Sequence, residues 1–483
     1  MLFFHPKSFY KYVISLIITL GLAACSDSGT NPDEGNNVIE EKSPPIENYY
    51  PVPSKSQLDW QDSEMGMFIH FGMNTFTDKE WGDGTDDPTI FNPANLNTEQ
   101  WVNVAKQIGF KYIILTVKHH DGFCLWPSRY TSYSLLLSSY KNGKGDIVKE
   151  FSDACHKYNI QFCFYLSPWD RHETTFGTDE YNIHYQNQLR ELLTEYGDVG
   201  DIWLDGANGV GVNGTFQDYN WDLYYSTIKH YQPNALISIA GPDIRWVGNE
   251  NGVGNETEWS PQPRVYSIQN GGEIVWYPSE CDVSIRPGWF YHQSQDNQIK
   301  SVDQLVDIYF KTVGRNSNLL LNVPVNKEGL ISDFDIQRLT EWRQKLNNIF
   351  ANDLFYKQQV ECSNARNNYP ADNCLDKNRN TFWTTHPDIL TGELTITLHK
   401  KVDINIIRLE EAIEYGQRIK SFEVYYSNNG NMEKIYEGTT IGRSRIITFE
   451  KVNTDKIKII ITDADASPTL RIIKGYYDSS MQI

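Results

Sequence analysis

KYIILTVKHHDGF, residues 111–123, runs a β-branched apolar stretch straight into two histidines and an aspartate. A strand that is apolar at successive positions is buried on both faces, which indicates a parallel sheet covered by helices. The pattern recurs on both sides of it. Residues 65–72 (MGMFIHFG), 161–166 (QFCFYL), 201–204 (DIWL), 235–240 (ALISIA) and 318–325 (NLLLNVPV) read as further strands. Between them, 98–108, 146–158, 180–196, 221–231, 302–313 and 332–350 carry helical patterning. This alternation over 59–350 predicts an α/β fold, a (β/α)8-like barrel. Residues 250–298 lack regular pattern and read as loop, so the barrel is expected to be incomplete, with long strand-to-helix loops.

Past residue 350 the helical pattern stops. Residues 395–398 (TITL), 404–409 (INIIRL), 421–426 (SFEVYY), 444–449 (SRIITF) and 456–461 (KIKIII) are β-rich at turn-like spacing. Such a series predicts an all-β sandwich. At the other end, Lys7 and Lys11 precede an apolar run over 12–22 that is too short for a permanent membrane helix. It ends in Leu22-Ala23-Ala24-Cys25, which resembles a bacterial lipobox with Cys25 as the lipid-bearing residue. The expected plan is a lipoprotein signal peptide over 1–25, a flexible polar tether over 26–50, the barrel over 51–352 and the sandwich over 353–483. The expected location is that of an exported bacterial lipoprotein, periplasmic or at the cell surface, held to a membrane by its lipid.

With 43 Lys and Arg against 62 Asp and Glu, the formal charge is −19, and no basic run offers the footprint that nucleic acid requires. A neutral ligand fits better. Beyond Cys25 six cysteines remain, without C-x-x-C spacing; Cys362 and Cys374 are the first pair to test for a disulfide, and the others read as buried thiols.

A barrel places its chemistry at the C-terminal ends of its strands. Those ends carry His70, then His119 and His120, then Tyr165 with Trp169 and Asp170 close behind, then Trp203 and Asp205. A carboxylate at a strand mouth after three apolar residues must be paired, metal-bound or catalytic. His70, His119, His120 and Asp205 are metal-ligand types, yet the surrounding aromatics would crowd a hydrated ion and suit a pyranose ring. Carboxylate chemistry at a sugar needs two acids. Asp205 supplies one, and Glu250, Glu256, Glu258, Glu273 and Glu280 are candidates for the other that these residues alone do not rank.

The motifs FIHFG (68–72), EWG (80–82), KHHDGF (118–123), YLSPWD (165–170), IWLDG (202–206) and NLLLNVPV (318–325) together resemble the glycoside hydrolase family 29 α-L-fucosidases. The resemblance implies a retaining mechanism with Asp205 as nucleophile and no cofactor for catalysis. It also implies sugar contacts from His70, Glu80, Trp81, His119, His120, Tyr165 and Trp203. WVGNENGVG (246–254) resembles the acid/base loop of the subfamily acting on branched α-1,3/1,4-fucosyl linkages, which makes Glu250 the acid/base, with Glu280 next in line. In residues 279–292, Arg286 and Trp289 would bind the sugar, Trp289 facing the methyl group. The implied partner is a fucosylated, Lewis-type oligosaccharide or glycoprotein glycan. The C-terminal region resembles a discoidin-like, galactose-binding-type sandwich, in which Asp376 and Thr381 match ligands of a structural calcium ion; its loop 411–417 is expected to reach the active-site rim. Two other readings are a surface glycan-binding lipoprotein on a non-catalytic barrel and a glycosidase for a related sugar such as an α-L-galactoside.

Overall fold

The computed structural model describes residues 46–264 and 272–481; the expected signal peptide, Cys25 and most of the tether lie outside them. Eight parallel strands form the barrel: β1 (Met65–Ile69), β2 (Tyr112–Lys118), β3 (Gln161–Leu166), β4 (Asp201–Leu204), β5 (Leu236–Ile239), β6 (Arg245–Trp246), β7 (Ser279–Ser284) and β8 (Ser317–Asn322). Their order is β5-β4-β3-β2-β1-β8-β7-β6. One isolated bridge, Ser238 to Ile244, spans the remaining gap, so the barrel is nearly closed. The chain passes from β5 to β6 through residues 240–244 alone, with Ile239 in the left-handed region (φ 70°). No helix lies between, and none occurs among the described residues of 247–278.

Side chains alternate across the barrel wall. Met67, Ile69, Ile113, Leu115, Phe162, Phe164, Ile202, Leu319 and Leu321 pack into the layer beneath the helices. Phe68, Tyr112, Ile114, Tyr165, Trp203 and Leu320 fill the interior, which Trp60 of the helix Lys55–Ser63 joins. Gly66 is required here, because a Cβ would lie 2.2 Å from the Tyr112 ring. The interior is a packed core, as expected of an eight-stranded barrel.

Two strands went unseen in the sequence, β6 and β7. The second, SECDVS, is fully buried but turns carboxylates rather than apolar side chains into the barrel, so it lacks the apolar run by which a buried strand is recognised. In the sandwich, TITL and INIIRL are two parts of one twenty-residue strand, Gly392–Glu411. SRIITF and KIKIII are likewise parts of Arg445–Ala464. Register shifts between Thr397 and Val402 and between Ile404 and Ile406 bend the first strand, which is how bulged antiparallel strands turn a corner. All six cysteines from Cys124 onward are free thiols, so Cys362 and Cys374 do not pair; Cys374 donates to the Leu470 carbonyl at 3.2 Å instead. Among the described residues no helix is long and apolar enough to cross a membrane.

Sandwich and barrel share core and charge. Ile406, Ile446 and Tyr476 belong to the barrel's outer apolar layer. Arg443 pairs with Asp62 at 2.5 Å and with Glu410 at 2.9 Å, and Arg408 pairs with Glu64 and Glu410.

Candidate active site

Strand alternation delivers the site. Phe68 and His70 lie on one face of β1, Tyr165 faces the same interior from β3, and Trp203 and Asp205 follow from β4. On β2 the register against β3 shifts between Thr116 and Lys118. Lys118 bonds Asp170 and Gln188, both at 2.9 Å, in the helix layer, and His119 takes the inward position. A cavity of about 250 Å³ results, lined by Phe68, His70, Trp81, His119, His120, Tyr165, Trp203, Asp205, Ala207, Glu250, Asp282 and Trp289. That lies below the roughly 300–1,000 Å³ of sites for drug-sized ligands, and suits a single sugar ring. Trp81, 62% exposed, stands at its rim.

Two donors aim at Asp205: the Tyr165 hydroxyl to Oδ2 at 2.9 Å and the Ala207 amide to Oδ1 at 2.8 Å. His120 Nε2 lies 3.8 Å from Oδ2. The three histidines are tuned by burial, which lowers the pKa of each and takes His70 to about 3, so His70 and His119 are neutral at pH 7. Their partners assign the protons. Asn322 Nδ2 donates to Ser284 Oγ and to the Trp289 carbonyl, both at 2.9 Å, which leaves Oδ1 to accept from His70 Nδ1 at 2.8 Å. His70 therefore keeps Nε2 as an acceptor. Asn74 Nδ2 meets His119 Nδ1 at 3.4 Å, which makes Nδ1 the acceptor and Nε2 the donor. Ser167 Oγ, which donates to the Trp169 carbonyl at 2.6 Å, accepts from His120 Nδ1 at 2.7 Å. The cavity wall thus offers neutral donors and acceptors, as a polyhydroxylated ring requires.

Several expected residues stand elsewhere. Arg286 is buried outside the cavity, its guanidinium bonded to Asp335 at 3.0 Å and Asp296 at 2.9 Å and lying over the Tyr291 ring; it braces the loop that carries Trp289. Glu80 accepts from the backbone amides of Trp289 at 2.9 Å and Phe290 at 3.3 Å and meets His292 Nε2 at 2.6 Å. It holds that loop and does not line the cavity. Glu280 lies beneath the floor, accepting from Trp203 Nε1 and the Tyr112 hydroxyl, both at 2.9 Å, so neither oxygen is turned to a sugar. The loop 411–417 reaches Glu258 and Ser260 through Gln417 rather than the cavity. In the sandwich, Asp376 Oδ1 accepts from the Asn378 amide and Oδ2 from the Thr381 hydroxyl, both at 2.7 Å. The structure thus brings Asp376 and Thr381 together in one loop.

Asp282 was missed. It lines the cavity beside Glu250, accepts from Trp246 Nε1 at 2.7 Å, and is pushed up to about 8 by burial and then by the charges of Glu280 and Glu250. The period-two row Glu280, Asp282, Ser284 was the available signal, since one face of a strand carries alternate residues.

A family model described as alpha-L-fucosidase matches residues 40–348, and one described as F5/8 type C domain matches 359–473. The chain belongs to the α-L-fucosidase family. The Arabidopsis thaliana protein alpha-L-fucosidase 1 is 43% identical over 448 residues, 89% of this chain and 88% of that one. A Ruminococcus gnavus family 29 fucosidase solved in complex with fucose matches with a TM-score of 0.84 at 32% identity, over 91% of this chain and 97% of that one. A glycoside hydrolase 29 family member from a rumen bacterium gives 0.80 at 38% identity, over 90% and 79%. This fucosidase is thus a glycoside hydrolase built as a barrel followed by a β-sandwich.

The floor of the site makes a pH prediction. Burial, and then the Asp201 charge, raises Glu280 to about 8. The unfolded chain releases that proton near pH 4.3, whereas the folded one keeps it, so this stabilisation is lost as pH rises towards 8. Glu280→Gln, neutral throughout, should therefore gain about 2–5 °C in Tm relative to the native sequence between pH 5 and pH 9. A Tm difference that stays constant across that range in thermal melts would contradict the assignment.

Proposed function

We propose that this fucosidase releases terminal α-1,3/1,4-linked L-fucose from Lewis-type oligosaccharides and glycoprotein glycans with retention, using Asp205 as nucleophile and Glu250 as general acid/base. The observation that carries the reading is that these two carboxylates line one ring-sized cavity, together with Asp282, whose carboxyl accepts from Trp246, and a wall of neutral histidines and aromatics. Asp205 attacks the anomeric carbon while Glu250 gives its proton to the departing glycosidic oxygen, leaving a fucosyl ester on Asp205. Glu250 then takes a proton from water, whose oxygen displaces Asp205 and restores the original configuration. His70 Nε2 accepts from one sugar hydroxyl and His119 Nε2 donates to another. Tyr165 holds the attacking carboxylate, and Trp81 closes the rim. Phe68 and Trp289, with ring centroids 6.3 Å apart, offer an apolar wall to the fucose methyl, where the extra hydroxyl of an L-galactoside would go unpaired.

The branched-linkage preference rests on the 246–254 segment, whose Glu250 sits on the loop just after β6. Separately, the lipobox-like Leu22-Ala23-Ala24-Cys25 after a short apolar run supports an exported lipoprotein anchored through Cys25. In cells fed labelled palmitate, the protein should take up label that Cys25→Ser abolishes; an unlabelled native protein would refute the anchor.

The linkage and the catalytic pair are tested together. Lewis a and Lewis x trisaccharides should release fucose while 2′-fucosyllactose does not. Asp205→Ala should abolish the release, and Glu250→Ala should lower it by about 10²–10⁴-fold. Release from 2′-fucosyllactose at a comparable rate would sink the linkage assignment. Full activity in Asp205→Ala would sink the mechanism.

A further inference from the structure

The loop that carries Glu250 follows the shortest strand of the barrel. The strand before it, β6, has two residues, and no helix follows it among the described residues of 247–278. A barrel strand is normally braced by the helix after it, so something else must hold this loop.

Residues 247–254 are held from the barrel. The Val247 amide donates to the Glu280 carbonyl at 3.0 Å, and Asn249 Nδ2 donates to the Val253 carbonyl at 2.9 Å, closing the turn on itself. Gly252, at φ +68°, lies flat on β7, where a Cβ would meet Val283 Cγ1 at 2.8 Å. The Gly254 amide donates to the Lys311 carbonyl at 2.7 Å, and the Gly254 carbonyl accepts from Arg315 at 3.0 Å.

From Glu256 onward barrel and sandwich hold the segment together: on the barrel side Arg245 pairs with Glu258 and donates to the Trp259 carbonyl at 3.2 Å, Asn316 donates to the Glu258 carbonyl at 2.9 Å, and the Tyr277 amide donates to the Ser260 carbonyl at 2.7 Å. Gln417 is fully buried and uses all four hydrogen-bonding positions of its amide. Its Nε2 donates to the Glu258 carbonyl at 3.1 Å and to Thr440 Oγ1 at 2.7 Å, and its Oε1 accepts from the Ser260 amide at 2.8 Å and from Asn316 at 3.2 Å. Arg445 donates to the Glu256 carbonyl at 2.6 Å and pairs with the Glu256 carboxylate, which Arg315 grips from the barrel at 2.7 Å. Thr257 and Thr439 share a hydroxyl contact at 2.7 Å. Gln417 itself is fixed, because the buried Glu411 carboxylate accepts from the amides of Arg418, Ile419 and Gly442 on either side of it.

We infer that the C-terminal sandwich positions the acid/base: Gln417 and Arg445 hold the 256–260 segment and through it the loop that presents Glu250. The inference rests on Glu250 being the acid/base. It makes the sandwich part of the catalytic apparatus, at the place where no helix follows β6 among the described residues. Gln417 and Arg445 are positioning residues that do not touch substrate. Without Gln417 the Ser260 amide loses its buried acceptor, while the Glu258 carbonyl keeps only Asn316 at 2.9 Å, and a displacement of about 1 Å at a catalytic group costs on the order of 10²-fold in rate.

The test uses the full chain and two substrates. An aryl α-L-fucoside with an acidic phenol needs little help from a general acid, whereas Lewis a trisaccharide depends on it. Gln417→Ala should lower kcat/KM on the trisaccharide at least about tenfold more than on the aryl fucoside. Arg445→Met, which keeps an apolar stem, should move the same ratio in the same direction and serves if the first variant does not fold. Arg379→Ala removes ion pairs to Asp62 and Glu410 at the same interface but away from the loop; it should lower Tm and leave the ratio unchanged. An equal loss on both substrates in Gln417→Ala and Arg445→Met, or no loss, overturns the inference. Glu250→Ala separates the two failures: it must show the selective loss if Glu250 is the acid, whatever the sandwich does.

Discussion

Beneath the sugar cavity a single carboxyl, Glu280 on β7, accepts from Tyr112 on β2 and Trp203 on β4 and so ties three strands across the barrel. An indole N–H can only donate, so Trp203 needs an acceptor in the interior, and Glu280 is the one placed there. The floor of the cavity is thereby fixed in position and angle. Everything above it inherits that geometry: Tyr165 is tilted against Trp203 with ring centroids 5.5 Å apart, and the Tyr165 hydroxyl holds Asp205. A buried carboxyl without a counter-ion costs stability when ionised; burial answers this by keeping Glu280 protonated, and the arrangement needs no compensating lysine or arginine inside the barrel.

The wall above the floor is neutral for a related reason. Burial strips His70 and His119 of charge, and the amides of Asn322 and Asn74 choose their tautomers. Burial pushes Asp282 up as well, to about 8. The proposed nucleophile and acid, Asp205 and Glu250, are delivered from different supports. Asp205 follows a strand locked between β3 and β5. Glu250 rides on a loop with no helix behind it among the described residues, and there the sandwich adds to the barrel's own contacts.

Much of this was legible in the sequence because burial and strand alternation write themselves into residue type. Six barrel strands announced themselves by apolar runs, and His70, His119, His120, Tyr165, Trp203 and Asp205 by sitting where those runs end. The rest was hidden where chemistry overrode pattern. β7 is polar because its inward row is Glu280, Asp282 and Ser284, so it read as loop, and Asp282 went unnoticed within it. The family resemblance put Arg286 and Glu80 at the sugar. Both act on the loop that carries Trp289, a distinction that depends on which way a side chain turns after the strand ends. The two twenty-residue sandwich strands looked like four because charged stretches such as HKKVD (399–403) resemble turns, while the backbone continues through a bulge.

The claim on which the rest stands is that Asp205 becomes covalently bonded to the sugar. A 2-fluorinated fucosyl fluoride forms the glycosyl-enzyme readily and loses it slowly, so digestion and mass mapping of the inactivated protein can locate the bond. The fluorosugar mass should appear on the peptide containing Asp205 and on no other. A label on Glu250, on Asp282 or on any other residue would contradict the assignment of the nucleophile, and turnover with inversion and no label would contradict the retaining mechanism itself.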